Sequence, residues 1–384
     1  MTKVCHVTSV HNRYDPRIFH KECTSLANAG YDVTLLVADG KADETRNGVK
    51  ITAIDFKPKN RIDRILHSGA KLLDKALEID AEIYHLHDPE LLPLGKNLKR
   101  HGKKVIFDSH EDYPLQIAHK RYLGVFARPA AACYKAYETY LLKNFYDAVI
   151  FPCTMFGGVN IFEGRCKRTE FVSTAAKLEE FYDRYEPIDK STFNTVCYVG
   201  GLTYDRGITH LIKAAYKANA RLILGGTFTP EYLAELKAMP EFSCVDYRGY
   251  LNREQVFDVY RESAIGASVL LNVGQYNISD NFSTKVYEYM SMGMPSIVGN
   301  YKYAEDVRKK YNYGLTVEPG NVGALADAIR WLLDHPEEAK QMGENGRRAV
   351  KEEFNWSIEE KKLLKLYAEN IGGIAIRTND DKKQ

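Results

Sequence analysis

Two carboxylates stand eight positions apart in the stretch Asp280-Asn281-Phe282-Ser283-Thr284-Lys285-Val286-Tyr287-Glu288. Ser283 and Thr284 are residue types that cap a helix N-terminus, and Gly293 is a type that ends one. A helix starting at Thr284 points backbone N–H groups and the positive end of its dipole outward, which suits a phosphate or diphosphate. Asp280 before the helix and Glu288 within it can then reach different parts of one extended ligand. An ordinary strand–helix–strand unit with a charged surface fits the same residues, because an anion on a helix N-terminus is optional. Histidine and acids are combined twice more, in His87-Asp88-Pro89-Glu90 and in Asp108-Ser109-His110-Glu111-Asp112. Each follows a short apolar run, so each sits at a strand end. For His87 a hydrogen-bonded structural role is the simpler reading.

The elements that must position these groups alternate between strand and helix. Val4–Val7 reads as a strand, and Asp15-Pro16 as an N-cap with proline at the first helical position, opening a helix that Gly30 closes. Strands follow at Asp32–Val37, Lys50–Phe56, Glu82–Leu86, Val105–Phe107, Ala148–Phe151 and Thr169–Val172. After a polar, aromatic-containing connector over Lys177–Asp189, a second series runs through Thr195–Val199, Arg221–Leu224, Cys244–Arg248, Ala267–Leu271 and Gly314–Val317. Helices are expected at Ile208–Ala218, Val322–Asp334 and Glu338–Phe354. Ser357 with Glu360 forms a capping box that opens a last helix through Glu369. This pattern is α/β with doubly wound parallel sheets, whose ligands bind beyond the carboxyl ends of the strands. The fingerprint G-x-G-x-x-G is missing, which argues against a dinucleotide dehydrogenase.

A length of 384 residues suits two domains. The net charge of +2 argues against a dedicated nucleic-acid partner. Seven cysteines are scattered without a C-x-x-C pair, the pattern of reduced, mostly structural thiols in a cytoplasmic protein. No signal peptide and no apolar stretch of membrane-spanning length is read.

Taken together, the acid–x7–Glu spacing on a helix resembles the E-x7-E signature of glycosyltransferase family 4, retaining enzymes of the glycosyl transferases group 1. Gly200-Gly201-Leu202-Thr203-Tyr204-Asp205-Arg206-Gly207 is similar to that family's G-R-L-x-x-x-K-G segment, whose two cations hold the donor's diphosphate. Arg206 matches the second cation, and Gly201 stands where the first would be. The resemblance implies the GT-B fold, with two facing Rossmann-like doubly wound domains and the active site in the cleft. It divides the chain into an acceptor-side domain over 1–176 and a nucleotide-sugar domain over 177–354. A helix over 355–372 crosses back to the first domain, and a polar tail, read as disordered, covers 373–384.

By the same resemblance, His110, Arg206 and Asp280 serve catalysis, with Asp280 on a sugar hydroxyl. Tyr250, Leu251, Phe282, Ser283, Thr284, Lys285 and Glu288 bind the donor, with Glu288 on the ribose and the nucleotide base near Tyr250-Leu251. Arg206 carries the leaving-group charge nearly alone. No D-x-D motif precedes the tail, so neither a metal nor a cofactor is expected. The resemblance implies a UDP- or GDP-linked sugar as donor and a saccharide, in lipid-linked form, of surface-polysaccharide assembly as acceptor. The segment Lys120-Arg121-Tyr122-Leu123-Gly124-Val125-Phe126-Ala127-Arg128 mixes cations with large apolar residues. It reads either as a core helix with a solvated edge or as a face, through Lys120, Arg121, Tyr122 and Arg128, for an anionic membrane or a lipid-linked acceptor. A sugar-nucleotide epimerase, a pyridoxal-phosphate phosphorylase and a non-catalytic sugar-nucleotide binding module share enough of these features to stand as alternatives.

Overall fold

The computed structural model describes residues 1–56, 61–155, 157–274 and 276–370. The expected tail over 373–384 lies outside the described residues, as do the side chains of Arg121 and Tyr122. Two compact units divide the chain. The first comprises Met1–Thr154, Asn160–Ser173 and the described residues from Ser357 on, and the second Met155–Val159 and Thr174–Trp356. Residues 155–159 join the second unit because Met155 bridges to Ser279.

The first unit is built on eight strands: β1 (Lys3–Val7), β2 (Asp32–Val37), β3 (Glu44–Arg46), β4 (Val49–Ala53), β5 (Ile83–Leu86), β6 (Lys104–Asp108), β7 (Ala148–Phe151) and β8 (Thr169–Phe171). Their order is β3-β4-β2-β1-β5-β6-β7-β8, parallel throughout except for the β3–β4 pair. Runs such as Val33–Val37 and Ile83–Leu86 are buried along their length, as parallel strands covered on both faces require. The chain winds to opposite sides of β1, through β2 one way and β5 the other, so the loops after β1 and β5 flank the switch point.

The helix Trp356–Asn370 closes this unit. It buries Leu363, Leu366 and Tyr367, and the Tyr367 hydroxyl meets His85 Nδ1 at 2.9 Å. The capping box expected at Ser357 is not formed, because the helix already begins at Trp356. A backbone bridge takes the place of a side-chain cap: Trp356 N–H donates to Ala176 O at 2.7 Å, and Ala176 N–H donates to Phe354 O at 3.1 Å.

The second unit has six strands: β9 (Thr195–Val199), β10 (Arg221–Gly225), β11 (Val245–Tyr247), β12 (Ile265–Ser268), β13 (Ser296–Gly299) and β14 (Gly314–Val317). All are parallel in the order β11-β10-β9-β12-β13-β14. The switch point lies between β9 and β12. The strand expected at Ala267–Leu271 starts two residues earlier and ends at Ser268, where the chain turns to tie the two switch-point loops together. There Leu271 N–H donates to Asp205 O at 3.0 Å, and a Cβ at position 207 would stand 2.2 Å from Val269 O. Gly207 also adopts φ +75°, so position 207 demands glycine twice over. The helix Thr284–Ser291 ends as expected, with Gly293 left-handed at φ +61°. All seven cysteines are free. Among the described residues, no helix is long and apolar enough to cross a membrane.

Candidate active site

In the first unit, the carboxyl ends of β1, β5 and β6 bring together a network of charged and imidazole groups. Asp108, the last residue of β6, is fully buried and accepts from Arg17 Nε at 2.8 Å and Arg17 Nη2 at 3.0 Å. Its other neighbours are His110 Nε2 at 3.1 Å and His87 Nδ1 at 3.4 Å. His87 is fully buried, with Nε2 facing His6 Nδ1 at 2.9 Å and Nδ1 facing His110 Nε2 at 3.3 Å. The second strand-end acid, Asp88, accepts from Thr8 Oγ1 at 2.8 Å and Ser9 N–H at 2.6 Å, which pins the loop after β1.

Burial sets the protonation of this network. It pushes the His87 imidazole down to about 4, and with the neighbouring imidazoles it drives His6 and His85 well below the ordinary histidine value. Burial alone would raise Asp108, but Arg17 and then His110 hold its carboxyl well below the usual carboxylate range. His110 is the member that reaches the rim, with 15% of its side chain exposed. Its expected neighbours serve locally: Asp112 accepts from Leu115 N–H at 2.9 Å and so caps the helix Tyr113–Ala118, while Glu111 bonds Gln116.

In the second unit, the loop after β9 and the start of the helix Thr284–Ser291 converge on Gly200-Gly201. A Cβ at Gly200 would lie 3.5 Å from Lys285 Nζ, and a Cβ at Gly201 would lie 3.4 Å from Arg206 Nε. Both cations adjoin Tyr198, with Lys285 Nζ 4.8 Å from the ring centre. Burial would raise the Tyr198 phenol, yet Lys285 and Arg206 together pull it below its ordinary value. Lys285 is itself buried, and desolvation lowers its ammonium from the usual 10.5. Lys285 from the helix thus stands as a second cation beside Arg206 at the Gly200-Gly201 turn, where Gly201 itself supplies no charge. Ser283 precedes this helix without accepting from a helical N–H, its hydroxyl 3.2 Å from Ser268 Oγ. Ser283 and Thr284 thus leave the first turn of the helix uncapped by a side chain, beside two cations.

Glu288 lies one turn deeper. Its carboxylate accepts from Arg253 Nη1 at 2.9 Å and the Tyr260 hydroxyl at 2.7 Å, and Arg253 also pairs with Glu180. Glu288 and Glu180 raise the half-buried Arg253 guanidinium against the effect of desolvation. Asp280 Oδ2 accepts from Gly158 N–H at 2.6 Å, so this acid holds the 155–159 segment. Tyr250 is 75% exposed, and Leu251 packs on Gly225.

One donor-binding expectation fails on packing. Phe282 is 3% exposed and its ring is enclosed by Tyr287, Tyr301, Tyr303, Tyr313 and Phe354, so its side chain is core. Sequence reasoning passed over Arg17, Arg253 and Tyr260. Arg17 stands in Asp15-Pro16-Arg17-Ile18-Phe19-His20-Lys21-Glu22, a mixed charged and apolar run, and carries no local signal. Arg253 and Tyr260 meet Glu288 from 35 and 28 residues away, on a separate helix, and carry no local signal.

Residues 16–157 match the family model described as Glycosyltransferase Family 4, and residues 183–349 match that of Glycosyl transferases group 1. Among curated proteins, an uncharacterized glycosyltransferase of Methanocaldococcus jannaschii is 25% identical over 178 residues, 45% of this chain and 44% of that protein. The alpha-D-kanosaminyltransferase of Streptomyces kanamyceticus is 24% identical over 203 residues, covering 51% of this chain and 50% of its own length. The chain thus spans about half the length of these relatives. Among solved structures, sucrose-phosphate synthase from Thermosynechococcus elongatus superposes with a TM-score of 0.77 at 18% identity, over 96% of this chain and 99% of its own. HepE of Anabaena, in complex with UDP-glucose, gives 0.71 at 13% identity over 96% and 100%.

Proposed function

We propose, from the premise that this chain belongs to the family 4, group 1 glycosyltransferases of GT-B fold, that it moves a sugar from a nucleoside-diphosphate sugar to a saccharide acceptor with retention. The observation that carries the reading is the placing of Lys285 and Arg206 on either side of the Gly200-Gly201 turn, beside an uncapped helix start. A diphosphate leaving group gains negative charge as the glycosidic bond breaks, and preorganised cations stabilise that charge most where water is scarce. The bond from the anomeric carbon to the diphosphate oxygen breaks with its electron pair going to the diphosphate. The acceptor oxygen bonds to the same face, and its proton passes to the departing phosphate oxygen. No protein nucleophile, metal or cofactor is called on. His110 and Asp280 would position the transferred sugar, and Glu288 the ribose. A UDP-linked donor is favoured over a GDP-linked one by the UDP-glucose carried by the Anabaena neighbour.

The acceptor is proposed to be a lipid-linked saccharide of surface-polysaccharide assembly, met at the inner face of the cytoplasmic membrane. Support comes from the helix Ala127–Phe145, which buries Ala131, Leu141 and Leu142 and pairs buried Glu138 with Arg165. Its outward face carries Pro129, Ala132, Cys133, Ala136, Tyr137 and Tyr140, with Arg128, Lys135 and Lys143 alongside. Val125 and Phe126, just before it, are 86% and 73% exposed. An exposed apolar stripe rimmed by cations suits the surface of an anionic bilayer. The test is a panel of nucleotide sugars scored first by thermal shift and then, with saccharide acceptors, by product analysis. A retained glycosidic product from one donor supports the proposal. Free sugar or an epimer formed without acceptor would move the assignment to a hydrolase or epimerase, and binding without turnover to a sugar-nucleotide binding module.

A further inference from the structure

We propose that the first unit holds a buried site for one divalent transition-metal cation, zinc fitting best, bound by His6, Glu22 and His85 with His87 behind them. The four residues come from β1, the helical segment Ile18–Cys23 and β5, and each offers a ligand atom within 4.8 Å of the others. All four are shut off from solvent. Among the described residues, six buried side-chain polar atoms accept or donate no hydrogen bond, and four of them are here: His6 Nε2, His85 Nε2 and both Glu22 carboxylate oxygens. Glu22 Oε1 keeps an ion pair with Arg17 at 3.1 Å; a buried polar group left without a partner is costly, so the other three, on facing side chains, ask for a common ligand.

The remaining imidazole nitrogens are already engaged. His6 Nδ1 faces His87 Nε2 at 2.9 Å, and His85 Nδ1 faces the Tyr367 hydroxyl at 2.9 Å. With a proton on each Nδ1, both Nε2 atoms become free lone pairs, the tautomer that metal-binding histidines adopt through a second hydrogen bond. The two Nε2 atoms and Glu22 Oε2 then face one another as acceptors. A buried water has two protons to give and would leave one acceptor unserved, whereas a cation serves them together. Charge points the same way. Asp108 and Glu22 are both fully buried, and Arg17 is the guanidinium shared between them, 2.8 Å from Asp108 Oδ2 and 3.1 Å from Glu22 Oε1. Two imidazoles and a carboxylate are a donor set that suits zinc, at bonds of about 2.0–2.2 Å.

The local backbone is shaped for this arrangement. Glu22 N–H donates to Arg17 O, five residues back, at 3.0 Å, so the turn is of the wide π type that recurs at functional sites. Through His6 and His87 the ion would fix the tautomer that His110 meets, which makes it a positioning element and not a participant in bond making.

Untagged protein, expressed with zinc or with cobalt in the medium and dialysed at length, tests the proposal by elemental analysis and X-ray absorption. The proposal expects about one equivalent of metal per chain, an imidazole and oxygen shell without sulfur, and loss of the metal in Glu22→Gln and His85→Phe but not in His110→Ala. Wild-type protein that holds no stoichiometric metal, both as isolated and after unfolding and refolding with Zn²⁺ or Co²⁺, would overturn it. So would a sulfur shell from Cys5 or Cys23. The two wild-type measurements decide the matter even if a variant fails to fold.

Discussion

Lys285 and Arg206 approach one glycine pair from different elements, and the chemistry proposed here needs both. Removing a charge-assisted contact that strengthens in the transition state costs about 3–4 kcal/mol, or about 10²–10³ in kcat. Arg206→Ala and Lys285→Ala are therefore expected to fall by similar factors in steady-state assays, and a tenfold smaller loss for Lys285→Ala would return the diphosphate to Arg206 alone. The buried position of Lys285 adds a pH signature. Its ammonium loses a proton more readily than an ordinary lysine, so raising the pH removes positive charge from the site and donor KM should climb below the usual 10.5. In Lys285→Arg the cation persists and that alkaline limb should disappear. Glu288 makes a separate prediction, because its carboxylate is the partner of a fully buried phenol. Glu288→Ala should lose about 1–3 kcal/mol in chemical denaturation by stranding the Tyr260 hydroxyl. Adding Tyr260→Phe should recover part of that loss, and full additivity of the two changes would contradict the account.

At the scale of elements, local chemistry was legible and distant pairing was not. Ser283 stands at the N-cap position, though its side chain caps nothing, and Gly293 ends the helix because a left-handed turn is decided by a few neighbouring residues. Asp15-Pro16 likewise opens a helix, with Asp15 Oδ1 accepting from Arg17 and Ile18 N–H. The capping box at Ser357 looked equally sound, but a bridge to Ala176, far away in sequence, moved the helix start. Phe282 was misread for the same reason: beside a ligand-binding signature an aromatic looks like a ligand contact, and only the tertiary packing makes it core. The helix Ala127–Phe145 shows the opposite case, since its outward apolar stripe is visible in the sequence once the buried face is known. Each cation near an anionic surface contributes about 1 kcal/mol, so under the proposed membrane reading Lys120, Arg121 and Arg128 would give weak, salt-sensitive attachment. Burying Val125 and Phe126 adds about 1.5–3 kcal/mol each, independent of salt. Co-sedimentation with anionic liposomes should fall with salt in wild type, and Val125→Asp/Phe126→Asp should remove what salt leaves. Binding that ignores both the salt and the variant would make a soluble acceptor the better reading.

For the molecule as a whole, two sheets each place reactive groups at a switch point, and the strand–helix alternation made that architecture readable. The second unit carries the central claim: a nucleotide diphosphate lies on the Gly200-Gly201 turn between Arg206 and Lys285. Isothermal titration of UDP, with uridine as the control, into wild type, Arg206→Ala and Lys285→Ala tests it most directly. Wild type should bind UDP far more tightly than uridine, and each variant should lose most of that difference while its uridine affinity stays unchanged. A difference between UDP and uridine that survives intact in both variants would place the diphosphate elsewhere and contradict the account.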